Sequence, residues 1–221
     1  MRYLNNWEAF LKLLRLLTGG LSNTLPIFAW TLIFSLPLGM LVALARMSRK
    51  WMIREPVRIY ILIMRGTPLI LQIFAVHFLL PGLLHIKPNR MISTITAFSL
   101  NYAAYFAEIF RGGILATERG QYEAAKVLGF TRVQTFFRIV LPQVIKRILL
   151  PTSNEVITLV KDTALATVIA VAEIYRAATN EASRTASVEP LVVAGVFYLI
   201  MNTVITRIFD MLIHRLDYYR T

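Results

Sequence analysis

Five long apolar stretches alternate with short polar segments along this chain, and most of the polar segments are basic. The first stretch covers residues 21–45 and holds Pro26 and Pro37, which bend a membrane helix without ending it. The second covers 57–80 and is interrupted by Arg65-Gly66-Thr67-Pro68. Neither half crosses a ~30 Å hydrocarbon core alone, since about 12 residues at 1.5 Å each reach roughly 18 Å. Together they are long enough. Pro68 lacks an amide hydrogen and disfavours helix at Thr67, so a break or kink is expected at depth. The remaining stretches are 91–115, 143–162 and 191–212. Ahead of them, Trp7, Phe10, Leu11, Leu14 and Leu17 alternate with Lys12 and Arg15. This pattern over residues 1–20 predicts an interfacial amphipathic helix, set apart from the first span by Gly19-Gly20. The polar segment 116–142 lies between the third and fourth spans. Within it, residues 122–128 favour a helix that ends at Gly129. Thr131 and Gln134 form a capping box that starts a second one, which Pro142 either closes or follows into the next. The pattern predicts an all-α integral membrane protein, one domain over 1–221, with five transmembrane helices and no internal repeat.

Composition agrees with a membrane protein. Hydrophobic residues make up 57% and charged residues 16%, with a mean hydropathy of +0.60. Apolar residues exceed what one soluble core needs. The net charge of +12 does not indicate nucleic acid, because the basic residues flank apolar spans and no nucleic-acid motif is present. Their placement instead sets topology. Fifteen of the 24 Lys and Arg fall after span one, between spans three and four, or at the C-terminus, from Arg46 to Arg220, and seven fall on the other side, Arg2 and Lys12 among them. The positive-inside rule then puts the N-terminus outside and segment 116–142 in the cytosol. Lys12 and Arg15, outside and beside span one, run against this. Zero cysteines exclude a disulfide framework, and His77, His85 and His214 have no metal-ligand spacing. The first apolar run is too long for a signal peptide. Arg46, Arg49 and Lys50 follow its cleavage-like Ala43-Leu44-Ala45, so it is an uncleaved span.

No catalytic set is visible. There is no phosphate-binding glycine loop, no nucleophile–base arrangement and no metal cluster. The chain is not an enzyme by any recognised motif and needs no cofactor of its own. The expensive residues are charges within spans, each costing ~2.5–3.5 kcal/mol on insertion scales unless a cavity or partner receives it. These are Arg65, Glu108, Glu155, Lys161 and Asp162. Glu155 and Asp162, seven residues apart, return to nearly one helix face about 10 Å apart along the axis. Thr158 and Leu159 lie between them. Such a face suits a small cationic or zwitterionic solute; pairing with Arg65, Lys161 or a partner chain is the structural alternative. Glu108 and Arg111 form an i,i+3 ion pair. A half-helix starting at Pro68 directs free amides toward Thr67, a place that favours a carboxylate; a plain kink with Arg65 held by span four is the other reading. Gln72, one turn on, could face the same cavity. Asn101 and Tyr102, among Ala103, Ala104 and Ala107, mark tight helix packing.

The segment 118–142 carries Glu123, Ala124 and Ala125, then Gly129, then Ile139, Leu141 and Pro142. This spacing resembles the cytoplasmic EAA loop of ATP-binding cassette (ABC) importer permeases. Arg65-Gly66-Thr67-Pro68-Leu69 and the run Asn154-Glu155 to Lys161-Asp162-Thr163 are similar to the polar amino-acid branch of that family, and the likeness covers about residues 20–215. The resemblance implies the type I importer permease fold in a prokaryotic plasma membrane. It implies a second permease subunit, identical or different, an ATPase dimer holding ATP and Mg, and an extracytoplasmic substrate-binding protein, all among membrane lipid. It assigns Glu123, Ala124, Ala125 and Gly129 to ATPase coupling, and places Thr67, Glu155 and Asp162 near a mid-membrane amino-acid site to which the local reading adds Pro68, Leu69, Gln72 and Thr158. In this scheme Thr67 and the half-helix end take the α-carboxylate, while Asp162 and Glu155 take the ammonium and any basic side chain. Two carboxylates favour lysine, arginine or histidine. One departure is Tyr102-Ala103-Ala104, where relatives tend to carry a smaller residue after the asparagine. The alternative function is an ion-coupled secondary transporter using Glu155 and Asp162.

Overall fold

The computed structural model describes residue 3 and residues 6–216; Arg2 and Arg220, used above for topology, lie outside the described residues. Every regular element among the described residues is helical. Helix α1 (Trp7–Arg46) is capped by Asn6, whose side chain accepts from the Ala9 amide at 3.1 Å. It runs unbroken through Gly19 and Gly20, where a separation was expected. The reason is packing. A Cβ on Gly20 would lie 2.8 Å from the Ile174 backbone, so this glycine serves a close approach of two chain segments rather than a hinge. Pro26 and Pro37 both sit inside the helix, as anticipated.

Helix α2 (Trp51–Gly66) ends at the expected place, and α3 (Leu69–Phe74) begins just after Pro68. A π-helical turn (Ala75–Leu79) leads into α4 (Leu80–Leu84). The change of direction at the break is 111°. Of the two expected forms, a break or a kink, the structure has the break, at the expected place. Each arm is about 24 Å long at 1.5 Å per residue, and two such arms turned this sharply do not add to a straight crossing.

Helix α5 (Arg90–Leu115), capped by Asn89, is the central element. It packs against α1, α2, α3 and α8. Its contact with α1 is the most extensive in the fold. On α1 the buried positions Thr24, Ile27, Thr31, Ser35, Gly39 and Ala43 recur every three or four residues, forming a ridge of mostly small side chains. Gly39 meets the backbone of Ala103 and Ala107 and the Phe106 Cβ. Small residues allow this approach, and dispersion then holds it where the hydrophobic effect offers little in lipid.

Helix α6 (Arg119–Val127) forms as foreseen. The second loop helix is not a separate element. α7 (Arg132–Thr135) passes through a π turn (Phe136–Val140) straight into α8 (Leu141–Asp162). Pro142 causes no break; it stands just after the π turn, where the helical hydrogen-bond register shifts. A 3₁₀ helix (Thr163–Ile169) and α9 (Ile174–Thr185) follow, neither of them marked by the apolar pattern, and then α10 (Glu189–Leu216).

Two helices, α1 and α10, are long and apolar enough to cross a membrane alone, and the bent α2 to α4 unit is so only as a pair. Helices α5 and α8, with 26 and 22 residues, have the length but are too polar to stand out by composition.

Gly39→Leu should lower the unfolding midpoint by several degrees, because even a Cβ there would sit 2.8 Å from Phe106. Gly19→Ala, with open space around it, should be neutral or slightly stabilising, as alanine exceeds glycine by about 1 kcal/mol in a helix. Thermal unfolding in detergent distinguishes the two.

Candidate functional site

The break between α2 and α3 is stitched by two buried amides. The Gln72 side-chain nitrogen donates to the Met64 carbonyl at 3.0 Å, the Thr67 carbonyl at 3.1 Å and Thr67 Oγ1 at 2.9 Å. Asn101 on α5 donates to the Met64 carbonyl at 2.9 Å and to the Gln72 Oε1 at 3.0 Å. Carbonyls at a helix end have no intrahelical partner, and in lipid none is supplied by water. Gln72 is only 8% exposed. It therefore faces the broken backbone, not an open cavity as was expected. Thr67 is exposed, but its hydroxyl donates to the Ile63 carbonyl at 2.8 Å while accepting from Gln72. That hydroxyl has no hydrogen left for a ligand. Pro68 is exposed and Leu69 half-buried at the same corner.

On α8 the buried stripe is Ser153, Val156, Leu159 and Val160. Glu155, Thr158 and Asp162 lie half-buried along its edge. The helix is continuous from Glu155 to Asp162, so the ~10 Å rise between them is realised. Asp162 accepts a 2.7 Å hydrogen bond from the Tyr102 hydroxyl. Tyr102 is 2% exposed, in keeping with tight packing, and its hydroxyl has a polar role as well. Among the described residues Glu155 makes no hydrogen bond and no ion pair. Arg65 is not held by a carboxylate of α8; its guanidinium carbon lies 5.2 Å from the centroid of the Tyr105 ring. Glu108 and Arg111 pair as predicted, with contacts from 2.7 to 3.2 Å.

One carboxylate escaped the sequence reading. Glu173 is fully buried and caps α9, accepting from the amides of Tyr175 and Arg176 at 2.6 Å each and from the Tyr198 hydroxyl at 3.1 Å. Burial pushes its carboxyl above the ordinary range, and the two amides pull it back. The segment around it is tied to α1, where Asn23 donates to the Ala172 carbonyl at 2.8 Å and Thr24 accepts from the Ile174 amide at 3.3 Å. The detectable signal was a lone glutamate followed by a run of helix-forming residues.

In the loop after α5, Gly129 takes φ +78°, the left-handed conformation anticipated for it. The Phe130 amide reaches back to the Ala125 carbonyl at 3.0 Å. Both arms of the Thr131–Gln134 capping box are present, at 3.2 and 2.9 Å. Glu123 and Ala124 face outward, but Ala125 is 1% exposed. Of the two alanines assigned to coupling, Ala124 is thus turned outward and Ala125 inward. Next to it Val127 and Leu128 are 87% and 73% exposed. The loop is bound to the start of α8: Arg147 donates to the Ala116 carbonyl at 2.6 Å and Gln143 to the Gln121 side chain at 3.4 Å.

Residues 35–218 match the family of inner membrane components of binding-protein-dependent transport systems. The octopine transport system permease OccM of Rhizobium meliloti is 39% identical over 93% of this chain and 86% of its own. The L-cystine permease TcyB of Bacillus subtilis is 37% identical over 92% and 88%. The glutamine permease GlnP of Escherichia coli (strain K12) is 32% identical over 96% and 97%. Among solved structures, an amino acid ABC transporter crystallised with histidines superposes with a TM-score of 0.85 at 29% identity, over 95% of this chain and 98% of that one. An inward-facing methionine transporter shares the fold at 0.75 and 17% identity, over 91% and 96%. By this match along most of its length, the chain belongs to the inner membrane components of binding-protein-dependent transport systems.

Proposed function

We propose that this chain is the membrane-embedded half of an ATP-driven importer of polar amino acids. It works with a second permease subunit, an ATPase dimer that holds ATP and Mg, and an extracytoplasmic binding protein. It carries no cofactor itself. The names of the relatives support the solute class, since octopine, cystine, glutamine and histidine all combine an amino-acid head with a polar side chain. Membership of a binding-protein-dependent system leaves the ion-coupled alternative without support.

The observation that carries the reading is mechanical. One helix, Leu141–Asp162, joins the loop at its first turn to Glu155 and Asp162 near its end. Glu123, Ala124 and Gly129 with the exposed Val127 and Leu128 form the face that a partner covers, and Ala125 holds it to the loop. Closure of the ATPases pushes α6, the push passes through Arg147 and Gln143 into α8, and the acidic edge moves relative to α5. Glu155, Thr158 and Asp162 meet the solute, and the corner at Thr67, Pro68 and Leu69, held by Gln72, forms the opposite wall. The five crossings are α1, the α2–α4 unit, α5, α8 and α10, with the N-terminus outside, the C-terminus inside and the membrane a prokaryotic inner membrane.

The natural absence of cysteine makes topology directly measurable. A cysteine at Gln121 should react with a membrane-impermeant maleimide only after cells are opened, whereas one at Lys87 should react in intact spheroplasts. The opposite pattern reverses the orientation.

Asp162→Asn and Glu155→Gln should each cut solute-stimulated ATP turnover at least tenfold in the reconstituted complex, with assembly intact. Normal turnover in both variants would remove these carboxylates from the solute path. Glu123→Lys should abolish uptake in vesicles while leaving solute binding to the external protein unaltered; undiminished uptake would disconnect α6 from the ATPase.

A further inference from the structure

The chain turns back between α1 and α2, at residues 47–50. Short local bonds fix the turn: the Ser48 amide donates to the Ala45 carbonyl at 3.1 Å, and the Lys50 amide to the Ser48 hydroxyl at 3.2 Å. Arg49 and Lys50 are both exposed here. Among the described residues no carboxylate pairs with either. Glu55, the next acid along the chain, is taken by Arg54 at 3.0 Å and Arg58 at 3.3 Å. Beside these cations stand Trp51 and Met52, 67% and 79% exposed. Apolar surface of this size is costly to leave in water, so the elbow needs a cover that is apolar and negatively charged at once. Along α2 the exposed apolar positions continue from Met52 through Ile59 to Ile63, and from Trp51 to Leu62. These spacings are about two and three helical turns and keep to one face. The stripe runs into the bent α2–α4 unit, which is apolar enough to cross a membrane as a pair. The patch at the elbow is therefore the headgroup end of a lipid-facing surface.

We propose that this elbow is a binding site for anionic phospholipid. Arg49 and Lys50 hold the negatively charged headgroup. Trp51 and Met52 lie where headgroup meets acyl chain, a depth that favours an amphipathic ring. A zwitterionic headgroup brings its own ammonium and gains little from two cations, whereas each cation near a negative membrane surface favours the anionic lipid roughly fivefold. The site also has a route to the coupling loop. Met47, in the same turn, packs against Ile114, Val140 and Val144, where α5 ends and α8 begins. Gly113 keeps that seam close, since a Cβ there would collide with the Ile148 side chain. A headgroup that anchors the elbow thus holds the wall on which the first turns of α8 bear, and anionic lipid supports coupling. The leaflet is the cytosolic one by the orientation proposed above. The site itself depends neither on that orientation nor on the solute, whereas its effect on coupling rests on the mechanical reading of α8.

The test uses the assembled permease–ATPase complex in nanodiscs of phosphatidylcholine and phosphatidylglycerol in fixed proportion. Bromine is placed on the acyl chains of the phosphatidylglycerol, or of an equal amount of the phosphatidylcholine. The Trp51 emission is the difference between the native and Trp51→Phe complexes. It should be quenched at least threefold more by the brominated anionic lipid. Arg49→Gln together with Lys50→Gln should bring the two lipids to within about 1.5-fold of each other. Salt at about 1 M, which shortens the screening length to about 3 Å, should do the same to the native complex. Equal quenching in the native complex overturns the site, and so does a preference that survives either treatment. Absence of quenching by both lipids places Trp51 under a protein partner, such as the ATPase, and overturns it as well. If the double variant does not co-elute with the ATPase, salt on the native complex decides. Without phosphatidylglycerol, ATP turnover of the native complex should fall at least twofold, to the level of the double variant. Turnover indifferent to the lipid, beside an intact quenching preference, would overturn the link to α8 and leave the lipid site standing.

Discussion

A backbone that stops being helical inside lipid must find its hydrogen bonds within the protein, and this fold is arranged around one such place. The carbonyls left open where α2 ends are received by Gln72 and Asn101, one from the helix after the break and one from α5. An unsatisfied buried polar group costs about 1–3 kcal/mol even where relaxation is allowed, and more in hydrocarbon. The two amides therefore fix a turn of 111° that a proline alone would leave loose. They also fix α3 relative to α5, because Asn101 bonds to both sides of the break at once.

From that constraint the role of α5 follows. A helix that must present Asn101 to the break, Tyr102 to Asp162 and its Ala103–Ala107 surface to α1 cannot be apolar on one side only. Fourteen of its 26 residues are buried, which makes it a core helix rather than a lipid-facing one. Its polarity is the consequence, and so is its failure to announce itself by hydropathy. The lipid-facing work falls to α1 and α10, whose apolar side chains are largely exposed in this subunit.

Local chemistry made the loop legible. The turn at Gly129 and the box at Thr131 and Gln134 are decided within five residues, and the structure has both as the sequence implies. The Glu108–Arg111 pair was equally local. What was not legible depends on partners distant in sequence. Gly20 looks like a breaker until Ile174 is seen against it, more than 150 residues away. Gln72 looks like a cavity-facing residue until the carbonyls of Met64 and Thr67 are placed behind it. Glu173 offered no periodicity at all, since it caps a short helix and is buried by contacts from α1 and α10. The π turns at Ala75–Leu79 and Phe136–Val140 add one residue to a helical turn, a change that leaves apolar spacing almost untouched.

Movement in this fold is limited by what is locked. The break is held by the side-chain amides of Gln72 and Asn101, whose N–H groups reach the Met64 and Thr67 carbonyls, the Thr67 hydroxyl and the Gln72 amide oxygen, and the loop around Glu173 by bonds to α9, α10 and α1. Helix α8 is clamped at neither carboxylate by more than the single Tyr102 contact, and at its first turns it is fastened to the loop instead. Its buried stripe packs on apolar neighbours, contacts that are non-directional and do not fix its position along the axis. A rigid rod pinned at the loop and weakly held along its acidic edge transmits displacement to that edge. The polar residues most firmly held are those that complete the backbone, Gln72 and Asn101, while Glu155 and Asp162 on α8 are held least.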